Sequence, residues 1–387
     1  MPNPFEYGTA VTGDSFCNRR NEMRDLRSSI DSAERLFIFS ERRMGKTSLI
    51  LNLRESLDLA KYVVAYVDLF PTDSEETFAA ALAKALATSV ESRADRVLGV
   101  AKKLFSRFTP SLSVDEEGKP QLSLGLSPNM AVKESLEEVL AAPAKLAAES
   151  DRRIVIIFDE FQRIMEYDEG ERVERTIRTM IQNQPGVEYI FLGSRKHLLE
   201  EMFMSRSRPL FRSAGHYPLG TIDVEHWRGF LGEKFASTHK KISAEMVDLI
   251  CSYTEGHPSY TQQLCHAVWG LVDHRRAVTS LDVEKGVQLL LRRESYAYTI
   301  LWESLPLNQR RLLRGLALEK SGVGAFTSGF MAKYGLASTS TLQRVLPALL
   351  SKDIIDRDVN KGKQRYYIVD RFFKVWIRKR EESLALS

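Results

Sequence analysis

The sequence holds only three cysteines in 387 residues, Cys17, Cys251 and Cys265. They are odd in number and far apart along the chain. That excludes a disulfide framework and any metal-ligand spacing, and leaves small core residues in a reducing compartment as the expectation. Long apolar runs are also missing. Nothing approaches the ~18 consecutive apolar residues a membrane helix needs, and the longest compact run, Ile154 to Phe158, is strand-sized. The opening MPNPFEYGTAVTGDSF lacks a basic region followed by an apolar one, so no secretory leader is expected. A cytoplasmic location without a membrane partner follows as the reading. Internal repeats, low-complexity tracts and flexible linkers are absent as well. What remains is a globular composition, 43% hydrophobic and 27% charged, in a chain long enough for two or three domains.

Net charge is small overall but unevenly placed. Residues 301–387 carry 16 Lys+Arg against 8 Asp+Glu, a balance of +8 in a chain whose total is +4, which leaves the first 300 residues at −4. A basic end region suits a polyanionic partner. A solvated basic face is the alternative reading.

Periodicity divides the chain into strands and helices. An amphipathic helix covers Asn21 to Ser29. Apolar β-rich runs at Leu36–Phe39, Tyr62–Phe70, Arg152–Glu160 and Val187–Ser194 read as buried strands, and the stretch near Gly215 as a short fifth. Helical stretches separate them, from about Ser74 to Leu104 and from Val132 to Ser150, so a parallel sheet flanked by helices is expected. Residues 106–130 alternate apolar and polar around a DEEGK turn, which predicts a surface hairpin or insertion outside the core. From Asp223 to about Arg293 the pattern is helical throughout.

The chemistry lies at two strand ends. SERRMGKTS, Ser40 to Ser48, follows the first strand and opens a helix, and it nearly matches the G-x-x-x-x-G-K-[ST] phosphate loop. A bare G-K-[ST] tripeptide arises by chance on the order of 0.2 times in a chain this long. The strand before it and the helix after it carry the inference, because main-chain amides and the helix N-terminus face the anion there. Lys46 would reach the β- and γ-phosphates and Thr47 would place its hydroxyl on Mg²⁺. Met44, Gly45 and Ser48 complete the cradle. Arg42 and Arg43 add positive charge, one of them pointing to solvent. Ser40 replaces the usual first glycine and must turn the chain with a negative φ, whereas Gly45 stands where the backbone approaches phosphate. The strand IVIIF ends in Asp159-Glu160, at the carboxyl edge where open α/β sheets bind ligands. Asp159 would hold Mg²⁺ through water and Glu160 would orient or deprotonate the attacking water; a surface turn bearing two acids is the other reading.

The series FCNRRNEMRDL, SERRMGKTSLI, IVIIFDEF, YIFLGSRKHL, PLFRSAGHYPL and TEGHPSYTQQLC resembles, over most of the chain, the archaeal-type ATPase family. That family belongs to the signal-transduction ATPases with numerous domains, related to AAA+ proteins and origin-recognition initiators. The resemblance implies an α/β, five-stranded parallel P-loop ATPase core, a helical lid and a winged helix. It implies that Phe16, Asn18 and Arg19 lie near adenine, though a loop leading into a helix is the plain reading. Ser194 matches a polar sensor position and could equally cap the helix after it. Arg212 resembles an arginine that reaches γ-phosphate in its own or a neighbouring subunit, with a solvated arginine as the alternative. In Gly256-His257-Pro258 the resemblance puts Pro258 on the base and His257 near phosphate; without it, the segment is a turn between helices.

After Leu305 the pattern reads helix, helix, helix and hairpin. Leu307, Leu312, Leu313 and Leu316 form one apolar face, and Leu342, Val345, Leu346, Leu349 and Leu350 another. A DNA-reading version would present Ser340, Gln343 and Arg344 to the major groove and Lys361, Lys363 and Arg365 to phosphates. Pro347 inside that helix and the single outward arginine leave a protein contact or a fold-completing cap open. The boundaries are 1–222 for the core with its insertion at about 106–130, 223–300 for the lid and 301–387 for the winged helix. The function expected is an ATP-driven, Mg²⁺-dependent switch whose state reaches DNA, a protein partner or a second copy. A DNA-stimulated remodelling or mobile-element ATPase, a nucleotide-holding scaffold of a defence or signalling assembly, and a P-loop kinase are the rivals.

Overall fold

The computed structural model describes residues 1–91, 108–114, 120–126, 132–319, 327–360 and 363–386. They form two compact units, Arg19–Gly220 and the pair of segments Met1–Asn18 and Thr221–Ser387. The sequence reading groups residues 1–18 with the core, whereas here they pack in the other unit.

Five strands make the sheet of the first unit: β1 (Leu36–Phe39), β2 (Tyr62–Asp68), β5 (Arg153–Asp159), β6 (Val187–Gly193) and β7 (Gly215–Pro218). Their order is β2-β5-β6-β1-β7 and every pairing is parallel, so the expected five-stranded parallel core is borne out. β5 is a continuous apolar run because both its faces are covered, with Ile154 to Phe158 wholly buried, whereas the edge strand β7 is largely exposed. A stack of rings fills one face, with Phe37 4.6 Å from Phe203 and Phe161 4.6 Å from Phe191. The helix Gly170–Ile181 buries Val173, Ile177 and Ile181 at a spacing of four, one helical stripe. β3 (Phe108–Val114) and β4 (Pro120–Leu126) pair antiparallel as a hairpin of their own, as the alternation suggests. The helix expected from Ser74 to Leu104 is described as Glu75–Glu91, and its remainder lies outside the described residues.

The second unit is helical up to its last hairpin. Helices Val224–Ala236, Ala244–Thr254, Pro258–Leu271 and Ser280–Ser304 come first. A capping box at Thr279 and Asp282 starts the long one, which runs through the boundary read at 300. Helices Leu307–Leu318, Ser328–Lys333 and Thr339–Ser351 follow, then the antiparallel pair β8 (Ile355–Asn360) and β9 (Lys363–Ile368), and a final helix Arg371–Leu386. Leu342, Val345, Leu346 and Leu349 are buried as their spacing requires, and Pro347 is accommodated within the helix. Leu307 departs from the expectation: it is the first residue of its helix and 58% exposed, outside the stripe of Leu312, Leu313 and Leu316. All three cysteines are buried in this unit's core. Among the described residues no helix is long and apolar enough to cross a membrane.

Candidate nucleotide site

Ser40 follows β1 and the loop to Gly45 leads into the helix Lys46–Ser56. Gly45 sits at φ +90° with open space where a Cβ would be, so the conformation rather than crowding demands glycine. Ser40 is absent from the positive-φ residues, which is how a serine serves at this turn. It also contributes a group glycine lacks. Lys46 Nζ donates to Ser40 Oγ at 2.8 Å and to the Glu41 carbonyl at 3.1 Å. Met44 and Ser48 are buried, while Arg42 and Arg43 are both exposed, so neither arginine is committed to the interior.

Lys46 is 6% exposed, and burial lowers its pKa to about 8 against the opposing pull of Glu160, Asp159 and Glu41. A cationic amine in so dry a place needs anions, and the carboxylates of Glu160, Asp159 and Glu41 supply the attraction. Thr47 Oγ1 donates to Asp159 Oδ2 at 3.2 Å. The loop and the acidic pair, which the sequence separates by 112 positions, therefore meet at one edge of the sheet. Asp159 is 6% exposed and burial pushes its pKa up.

β6 lies between β1 and β5, and its end completes the arrangement. Ser194 Oγ donates to Glu160 Oε2 at 2.8 Å. The following helix, Lys196–Met204, has Arg195 at its N-cap with no side-chain cap bond, so the serine's hydroxyl goes to the acid and not to the helix. Glu160 adopts φ +53° and opens a 3-10 turn over Phe161–Glu166. Gln162, 2% exposed, also donates to Glu160 Oε2. Gly193 leaves room for that carboxamide: a Cβ there would lie 2.1 Å from Gln162 Oε1.

Two contacting side chains escaped the sequence reading, Tyr66 and Gln162. Tyr66 on β2 donates to Asp159 Oδ2, and burial, then the Asp159 charge, raises the phenol's pKa so that it stays a donor. The signal was the alternation Tyr66, Asp68 on one face of β2, which becomes readable only when β2 is known to pair with β5 (Asp68 beside Asp159).

Arg19, 3% exposed and also at positive φ, donates to Glu22 at 2.7 Å, to the Gly220 carbonyl at 2.7 Å and to the Met44 carbonyl at 3.3 Å, so it ties the phosphate loop's backbone. Arg212 is exposed at φ +53° with its guanidinium 5.2 Å from the Phe211 ring. Phe16 and Asn18 are half-buried residues of the second unit. His257 belongs to that unit too; it is 1% exposed, N-caps the helix that Pro258 begins, and packs 4.7 Å from Tyr260. Beside it, Glu255 forms ion pairs with Lys374 at 2.5 Å and Arg371 at 3.0 Å. Ser340, Gln343 and Arg344 are exposed on their helix and Arg365 is half-buried on β9; Lys363 is a β9 residue and Lys361 lies outside the described residues.

A sequence family described as an ATPase domain predominantly from Archaea matches residues 16–264, and a probable winged helix domain matches 296–379. The chain belongs to that ATPase family and carries a winged-helix domain at its C-terminal end. No curated protein matches the sequence. Among solved structures, a Walker-type ATPase of Pyrococcus abyssi is similar at 18% identity and TM-score 0.65, covering 97% of this chain and 99% of that one. The ORC2 protein of Aeropyrum pernix, solved as ADPNP and ADP complexes, is similar at 14% identity and TM-score 0.50 over 95% of each chain. The ORC1 protein of the same organism, in complex with DNA, has TM-score 0.49 at 15% identity, over 96% of this chain and 95% of that one. At these identities the likeness is one of fold.

Proposed function

We propose that this protein is an ATP-hydrolysing switch, with ATP and ADP as alternative occupants of the loop Ser40–Ser48. One observation carries the reading: Thr47 Oγ1 stands 3.2 Å from Asp159 Oδ2 at the mouth of the phosphate loop, with Glu160 the next residue. A hydroxyl and a carboxylate are hard oxygen donors, and Mg²⁺ is commonly held by one or two carboxylates together with substrate phosphates. Among the described residues no larger acid or histidine cluster competes for it. Thr47 and Asp159 would hold the cation, which when bound neutralises charge on the β- and γ-phosphates. Lys46 holds the phosphate tail in a desolvated position where its charge acts strongly. Glu160 orients the attacking water. Its carboxylate accepts from both Ser194 and Gln162 on Oε2, which fixes the acid's orientation, and turnover is expected to be slow. Within the unit that carries the loop, Ser194 and Arg212 are the groups assigned to read the γ-phosphate. The similar ORC2 fold was solved with ADPNP and ADP, in keeping with nucleotide as ligand.

The winged-helix domain is the output. Exposed Ser340, Gln343 and Arg344, with Lys361, Lys363 and Arg365 of the wing, suit double-stranded DNA, and a protein partner or second copy is the competing reading. Turnover of the intact chain, with and without duplex DNA, tests both halves. Slow Mg²⁺-dependent hydrolysis is expected, retained binding with at least about tenfold slower hydrolysis in Glu160→Gln, and DNA affinity that falls with salt at about −0.9 per phosphate contact on logarithmic axes. Full turnover in that variant would refute the role of Glu160. Hydrolysis driven mainly by DNA would favour the remodelling reading, and bound nucleotide without turnover the scaffold.

A further inference from the structure

The Asp159 carboxylate accepts three protein hydrogen bonds. Thr47 Oγ1 reaches Oδ2 at 3.2 Å, the Glu160 amide reaches Oδ1 at 2.9 Å, and the Tyr66 hydroxyl also reaches Oδ2. A carboxylate offers about four lone-pair positions. Two of these donors have reasons independent of each other: Thr47 is itself the hydroxyl ligand of the phosphate loop, and the Glu160 amide is fixed by the chain. Tyr66 is different. It comes from β2, in register with Ile157 one alternation before Asp159, and its phenol also meets the Thr47 hydroxyl beside that carboxylate.

We propose that Tyr66 is a positioning residue that sets how much divalent cation the site requires, by occupying Asp159 Oδ2 against the cation's hydration water. The inference rests on the nucleotide-site reading given above. A cation bound at Thr47 and held to Asp159 through water needs an acceptor position on that carboxylate. The phenol fills one and withdraws negative charge from the oxygen it bonds. Without the phenol, Thr47 and the Glu160 amide still orient the carboxylate, so its geometry persists while its attraction for a cation rises. Hydrogen bonds to charged groups are strong enough for the loss of one to be read in a titration. The same bond keeps a buried acid satisfied when no cation is present, which accounts for a tyrosine beside the apolar Val63, Val64, Ala65 and Val67 of β2.

Tyr66→Phe keeps the ring and removes only the hydroxyl. Binding of a fluorescent ATP analogue to the intact protein is measured in EDTA and then across a Mg²⁺ titration. The half-saturating Mg²⁺ concentration is expected to fall by about threefold to tenfold in the variant, while the analogue's affinity in EDTA stays within about twofold of wild type. An unchanged or higher Mg²⁺ requirement overturns the proposal while wild-type nucleotide binding leaves the site reading standing. Loss of affinity in EDTA overturns it too, because the phenol would then serve the fold of the phosphate loop. Absence of nucleotide binding in the wild type overturns the site reading and this inference together.

Discussion

Glu188 shows what a single side chain costs when a strand's register overrides its chemistry. It sits on β6, opposite Val155, and is 2% exposed. Burial raises its pKa to about 7, with Arg153 and Arg35 pulling the other way. A raised carboxyl pKa means the folded protein holds a proton that the unfolded chain releases. The contribution is therefore full below about pH 4.5 and is lost as pH rises through about 7. Glu188→Gln, which cannot ionise, should match wild type in thermal stability near pH 4.5 and exceed it at pH 8, by an amount on the order of 3 kcal/mol. A difference that does not grow between those pH values would refute the assignment. Ser40 is the opposite case, a residue that violates a motif yet is explained by its contact: the hydroxyl in place of a hydrogen supplies the acceptor that keeps a buried Lys46 amine bonded at 2.8 Å.

At the scale of elements, Glu255 joins two helices that the sequence presents as unrelated. Glu255 caps the helix Ala244–Thr254 at φ +54°, and its carboxylate meets Arg371 and Lys374 of the final helix. Those cations are 3% and 4% exposed, and burial of this kind makes a lost partner expensive. Glu255→Ala should lower stability by about 2 kcal/mol, less than a fully buried pair because the acid itself is partly solvated, as read by chemical denaturation. No loss would mean that the Arg371 bonds to the Ile368 and Val369 carbonyls suffice alone. Strands and helix faces were legible in the sequence wherever burial imposed a period, as in Ile154–Phe158 and the Leu342 stripe. What no period encodes was not legible. Tyr66 and Gln162 touch the acidic pair through strand order and a turn, and Leu307 reads as core by spacing but stands at a helix start facing solvent.

For the whole molecule, the two strand-end motifs become one site only because β6 is inserted between β1 and β5, which places Ser194 against Glu160. The family explains why the motif order was readable; the hydrogen bonds explain what each residue can do. The central claim is that the Ser40–Ser48 loop holds a nucleotide through Lys46, and equilibrium titration of the intact chain with Mg²⁺·ATP tests it most directly. Wild type should bind one nucleotide per chain, and Lys46→Ala, with the same thermal unfolding profile, should bind at least about a hundredfold more weakly, the loss expected for a desolvated charge-assisted phosphate contact. Equal affinity in the two proteins would contradict the account.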